Sequence, residues 1–191
     1  MFRTILADLK SHVDVRRTPV GFWARVIGKA LFAPAVHVVI LYRLSSACYN
    51  FIPTRPLAFV LRSAAIVWGG TEIHPAAQIG PGLCLVHSQK ILIAEGVRIG
   101  SNARISHGVS IGGDTGRHGP ESGWPVIGND VTISLDAIVL GPVTIGDRAV
   151  VSAQALVVRD VPADGVVAGS PARLVKMRED LDGRSSDSRD S

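Results

Sequence analysis

Aliphatic residues recur at every sixth position through the middle of this chain, and that period constrains its fold more than any other feature. The series runs Ile73, Ile79, Leu85, then Ile93, Ile99, Ile105, Ile111, then Ile127, Ile133, Val139, Ile145, Val151 and Val157. A small or aliphatic residue stands two places before most of them: Ala77, Val97, Ala103, Val131, Ala137, Val143, Ala149 and Ala155. A period of six fits neither an isolated helix nor an alternating strand. It fits a parallel β-helix of hexapeptide repeats, in which each hexad makes one flat side and three hexads close a triangular coil. Gly follows the aliphatic at Gly80, Gly100, Gly112, Gly128 and Gly146, where it is expected to permit the corner conformation. Two interruptions break the register. Leu85 to Ile93 gains two residues, and Ile111 to Ile127 gains ten, which should protrude as a loop over residues 112–126. Insertions in repeat proteins map to loops and often to the binding face.

Outside this stretch the chain changes character. Only two of its 20 glycines precede Gly69, and Pro19, Pro34, Pro53 and Pro56 punctuate helix-length apolar blocks near 1–12, 20–33, 35–49 and 56–67. The organisation expected is a helical region over 1–68, a β-helix over 69–176 and a polar, disordered tail over 177–191. The overall class is mainly β with a small α-helical N-terminal region.

Charge is uneven. Residues 1–70 hold nine basic and two acidic side chains, and residues 71–191 hold eleven basic and fourteen acidic. No basic block with interleaved aromatics accompanies this, so no nucleic-acid partner is expected. A peripheral membrane contact is allowed by the charge but not expected. The longest apolar run, Ala30 to Tyr42, is too short to span a bilayer. Two cysteines form no disulfide framework, and Met1-Phe2-Arg3-Thr4 opens no signal peptide, so a cytoplasmic location is expected.

The repeat also places histidines. Leu85 and Ile105 begin the third side of successive coils, and His87 and His107 each lie two residues beyond. The two should stack on one face, about one strand spacing (~4.8 Å) apart, beside both insertions. A stacked His pair next to two protrusions is a candidate catalytic cleft. A zinc site is an open alternative, with His118 or a neighbouring subunit's His as third ligand. His74 reads as a turn residue and His37 as a satisfied core residue. His12 stands near a helix end, where a cation is favourable.

These segments are similar to a known family. Glu72-Ile73-His74-Pro75-Ala76-Ala77-Gln78-Ile79-Gly80-Pro81-Gly82-Leu83 resembles the first coil of serine acetyltransferases. Val109-Ser110-Ile111-Gly112-Gly113 resembles their glycine pair before the protruding loop, and Ala168-Gly169-Ser170-Pro171-Ala172-Arg173 their closing segment. The resemblance covers about residues 69–176 and extends to the related polysaccharide O-acetyltransferases. It implies a left-handed β-helix, a homotrimer with active sites between subunits, and acetyl-CoA as co-substrate with no metal. It implies His87 as general base and Glu72 as the carboxylate that orients it; His107, which the register stacks on His87, is the third catalytic candidate. It further implies oxyanion donors near Gly112 and Gly113, and coenzyme contacts at Ala153, Arg173 and Lys176.

The chain departs from the family in three places. The family's Arg-His pair before a proline is Gly123-Trp124 here, with Arg117 and His118 further back. Val86 replaces an Asp before the catalytic His. Ser134-Leu135-Asp136 replaces a run of small residues beside the coenzyme path. Trp124, Arg117 and His118 are therefore the candidate acceptor contacts. The function expected is acetyl transfer to the hydroxyl of L-serine, as in cysteine biosynthesis, with a sugar or exopolysaccharide hydroxyl as the alternative acceptor. A carbonic anhydrase-like hydratase and a non-catalytic trimeric scaffold are the alternatives of another class. The short helical region points to a trimer, and a chain ending in Asp190-Ser191 to no tail-mediated sulfhydrylase complex.

Overall fold

The computed structural model describes residues 1–13, 22–113 and 123–178. The expected tail beyond 178, and Arg117 and His118 in the long insertion, lie outside the described residues. Among the described residues four helices come first: α1 (Phe2–Ser11), α2 (Phe22–Phe32), α3 (Pro34–Tyr49) and α4 (Arg55–Gly69), with a short 3-10 turn at Ile52–Thr54. Pro34 opens α3, where its missing N–H costs nothing and its fixed φ is already helical. Gly70 ends α4 in the left-handed conformation at φ 62°, its N–H returning to the Ile66 carbonyl at 2.9 Å.

Among the described residues, fifteen short strands form three sheets. One sheet takes β1 (Thr71–Ile73), β4 (Ile91–Ile93), β7 (Ser110–Gly112), β10 (Ile138–Leu140) and β13 (Leu156–Val157). The second takes β2 (Gln78–Ile79), β5 (Arg98–Ile99), β8 (Val126–Ile127) and β11 (Thr144–Ile145). The third takes β3 (Cys84–Val86), β6 (Arg104–Ser106), β9 (Thr132–Ile133), β12 (Val150–Val151), β14 (Gly165–Ala168) and β15 (Arg173–Met177). All pairings are parallel except β14 with β15, which closes the coil. Register follows the hexads. Ile138 lies opposite Leu156, 18 positions on; Thr71 opposite Ile91, 20 on; and Arg104 opposite Thr132, 28 on. The two insertions thus account for the two longer coils.

All thirteen aliphatics of the series are buried, and so are the eight small residues two places before them. They form one continuous core that also takes in Val38, Val39 and Tyr42 of α3 and Ala65 of α4. Each such aliphatic contributes roughly 1.5–3 kcal/mol on burial, so the interior column dominates the stability of the coil.

The glycines act differently from the sequence expectation. Gly80, Gly100, Gly128 and Gly146 stack from coil to coil, and none has positive φ. They are required by closeness: a Cβ on Gly80 would lie 2.7 Å from the Gly100 carbonyl carbon, and one on Gly100 2.7 Å from that of Gly128. The left-handed corner falls two residues later, at Gly82, Asn102, Asp130 and Arg148, and again at Asp164. Each of the last four donates its N–H to a carbonyl of the preceding coil at 2.8–2.9 Å.

The first coil has no preceding coil to pair with, and the helices supply the missing partners. Buried Arg43 of α3 donates to the Ile79 carbonyl at 2.6 Å and to the Gly80 carbonyl at 2.7 Å. Buried Asp8 of α1 accepts from the Gly82 and Leu83 N–H groups at 2.8 and 2.9 Å. The two side chains also pair with each other, Nε to Oδ2 at 2.8 Å and Nη2 to Oδ1 at 3.1 Å. Tyr42 donates to the Ala77 carbonyl at 2.7 Å. A sheet end that would otherwise leave buried backbone groups unpaired is thereby satisfied.

Candidate active site

β3 and β6 lie side by side with Leu85 opposite Ile105, so His87 and His107 leave the third sheet at the same corner of successive coils. The His107 N–H donates to the Val86 carbonyl at 3.0 Å, which locks the two segments together. The imidazole centroids lie 6.2 Å apart at 73°, an edge-to-face contact. His87 is exposed, with φ 58°, and His107 is half-buried with its Nδ1 buried and unpartnered. Positive φ is common at corners of this fold, so at His87 it reflects the coil and not a special strain.

Both rings line an open cleft of about 1420 Å³, between the coil and the helical region. Lys10, Lys29, Lys90 and Arg104 line it too, four basic residues that sequence reasoning did not single out. Lys10 and Lys29 belong to the excess of basic residues in the N-terminal third, read there only as a surface property, and no sequence signal marked Lys90 or Arg104. Lys29 and Arg104 both act electrostatically on His12 and on Cys84, so their charges converge in the cleft. Burial pushes the Cys84 thiol up, which keeps it protonated and poorly nucleophilic.

His12 corrects an expectation. Its ring is not a helix-end cation: Nε2 accepts the Leu85 N–H at 3.2 Å, while Nδ1 meets the Asp8 carbonyl at 2.7 Å. Burial lowers its pKa below 6.5, in keeping with a neutral ring that donates from Nδ1. It thus anchors α1 to β3, the strand that carries His87. His74 accepts the Ala76 N–H at its Nδ1, as a turn residue does, and His37 packs against Trp68.

The remaining site residues are distributed as follows. Glu72 projects from β1 and is half-buried, its carboxylate paired with Arg62 of α4. Among the described residues no hydrogen bond joins it to His87. Gly112 ends β7, and Gly113 follows at the base of the insertion. The half-buried Trp124 lies where Cβ atoms on Gly113 and Gly96 would clash with its indole. Its ring therefore fills a slot those glycines open, and it packs against the core. Val86 lines the cleft beside the His pair. Ala153 is exposed on a turn after β12, and Arg173 and Lys176 both lie on β15.

No family model matches the chain. A serine acetyltransferase of Helicobacter pylori is 35% identical over 148 residues, which cover 76% of this chain and 83% of that protein. The chain belongs to the serine acetyltransferase family, a family of acyltransferases. Serine acetyltransferase 2 of Arabidopsis thaliana is 38% identical over 148 residues, so the chain spans under half, 44%, of that longer relative. Among solved structures, soybean serine acetyltransferase complexed with serine superposes with a TM-score of 0.79 at 33% identity, covering 91% of this chain and 68% of that one. The Brucella abortus strain S19 enzyme in complex with coenzyme A gives 0.81 at 29% identity, covering 92% and 68%. The fold is the left-handed parallel β-helix of these neighbours, with its helical N-terminal region.

Proposed function

We propose that the chain is an acetyl-CoA-dependent O-acetyltransferase that works at the cleft holding His87 and His107. The observation that carries this reading is the pairing of the two imidazoles at one corner of successive coils, in an open cleft. His87 takes the proton of the acceptor hydroxyl as that oxygen attacks the thioester carbonyl carbon. An imidazole suits the task because its unperturbed pKa lies near neutrality. The C–S bond then breaks, and the departing thiolate recovers the proton from the His87 imidazolium. The edge-to-face His107 ring supports the cationic stage. Burial of Cys84 as a thiol favours this direct attack over an acyl-cysteine intermediate.

Backbone N–H groups near Gly112 and Gly113 are assigned to the developing oxyanion. Ala153, Arg173 and Lys176 are assigned to coenzyme A, the two cations to its phosphates. Glu72 keeps its orienting role in this reading through the family resemblance alone, since Arg62 holds it in the single chain. No resident metal is assigned. The assembly proposed is a trimer. Leu92, Ile138 and Leu140, all partly exposed on one sheet, support a coil face covered by a neighbouring subunit.

L-Serine is the acceptor proposed first, from the relatives' names and the serine complex of the soybean enzyme. A sugar hydroxyl is the second reading, favoured by the apolar Val86 at the cleft where the family places a carboxylate. Trp124, packed on Gly96 and Gly113, has a structural role that needs no sugar. Thiol release from acetyl-CoA with L-serine against a panel of sugars tests both. Release with serine supports the first reading, and release with a sugar alone supports the second. No release with any acceptor refutes the proposal.

A further inference from the structure

Helix α4 is apolar on both of its faces. Ala58, Ala65 and Gly69 are buried on the inner one. On the outer one, Leu57, Val60, Ala64, Val67 and Trp68 follow at helical spacing along one stripe. Leu57, Val60, Val67 and Trp68 are 49, 62, 89 and 66% exposed. Phe51 and Ile52, at 63 and 72%, extend the apolar surface just before the helix. A helix with an apolar stripe on each of two faces is ordinarily covered on both.

The charge of the region indicates what covers it. Of the two acidic residues before residue 71, Asp8 is buried in its pair with Arg43, and Asp14 lies outside the described residues. Arg55 stands exposed at the start of α4 itself, and Arg3, Lys10 and Lys29 belong to the same helical region. A second copy docked through the same face would set the exposed Arg55 near its own counterpart. An anionic lipid surface complements both the cations and the apolar stripe. Among the described residues no helix is long and apolar enough to cross a membrane, so the helix would lie in the interface.

We propose that the outer face of α4, with Arg55 at its start and Lys10 and Lys29 in the cleft that Trp68 also lines, docks the chain peripherally on an anionic lipid bilayer. Trp68 also lines the cleft that holds His87 and His107, so docking sets the cleft mouth at the lipid surface.

The test is cosedimentation of the full chain with vesicles of phosphatidylcholine alone and of phosphatidylcholine mixed with phosphatidylglycerol. The expected result is binding to the anionic vesicles, weakened by added salt. Val60→Asp combined with Val67→Asp should lower that binding about tenfold or more. As a readout needing no charge substitution, Trp emission of the wild-type chain should move to the blue on anionic vesicles, and Trp68→Phe should remove the shift. Absence of binding, equal binding to both vesicle types, or full binding by the double Asp variant overturns the proposal. So does a lipid-inert chain whose oligomeric state changes in the double Asp variant, which would assign the face to a second copy. None of these readouts depends on acetyl transfer, so their failure is separable from failure of the proposed activity.

Discussion

Replacing Asp8 and Arg43 together by Leu and Met should destabilise the protein, although exchanging a buried ion pair for apolar residues is often neutral or stabilising. The difference lies in what else the pair does. Its two side chains satisfy four backbone groups of the first coil: the Ile79 and Gly80 carbonyls and the Gly82 and Leu83 N–H groups. At about 1 kcal/mol for each group left unpaired, the loss is about 4 kcal/mol. That is a large share of the roughly 5–15 kcal/mol that holds a domain folded. Asp8→Ala alone leaves Arg43 buried without its partner and should cost about 3–5 kcal/mol. Urea unfolding followed by circular dichroism is the assay. With a slope near ~2 kcal/mol per molar, a 4 kcal/mol loss moves the midpoint down by about 2 M. A double variant whose midpoint stays within about 0.5 M of wild type would refute the idea that this pair stands in for a missing coil.

Gly100→Ala should destabilise by about 2–4 kcal/mol in the same assay, because its Cβ would lie 2.7 Å from the backbone of Gly128. Gly28→Ala, with nothing within 4 Å of its Cβ inside α2, should instead stabilise by about 0.5–1 kcal/mol. His12, whose folded pKa lies below 6.5, resists protonation that the unfolded chain accepts. Its contribution is therefore full above pH 6.5 and is lost as pH falls through the folded value. The melting temperature should drop over that window in wild type and drop less in His12→Gln, as read by thermal scans at stepped pH.

The coil was legible because one physical requirement repeats. Every sixth residue must fill the same narrow interior, so the positions from Ile73 to Val157 declare register and both insertions without reference to any distant contact. The His87–His107 pair followed from that register alone. The left-handed corners did not, because Arg148 and Gln154 occupy them and neither has a local preference for that conformation. The glycine column was seen, but its cause was not: closeness between stacked coils leaves the same letter in the sequence as a turn does. The Asp8–Arg43 cap joins residues 35 apart across helices of no shared period, and no pattern in the chain points to it. The cationic cleft was visible only in part, as the N-terminal excess that includes Lys10 and Lys29, since tertiary packing is what brings Lys29 and Arg104 to bear on the same His12 and Cys84.

The most direct measurement is the turnover of a His87 variant that keeps the corner intact. Asn tolerates the φ of 58° better than Ala, so His87→Asn removes the base with the least disturbance to the coil. Thiol release from acetyl-CoA, with the acceptor that the wild-type chain uses, should fall by about a hundredfold or more while coenzyme A binding and assembly state are unchanged. Turnover within a few-fold of wild type would contradict the assignment of His87 as the base.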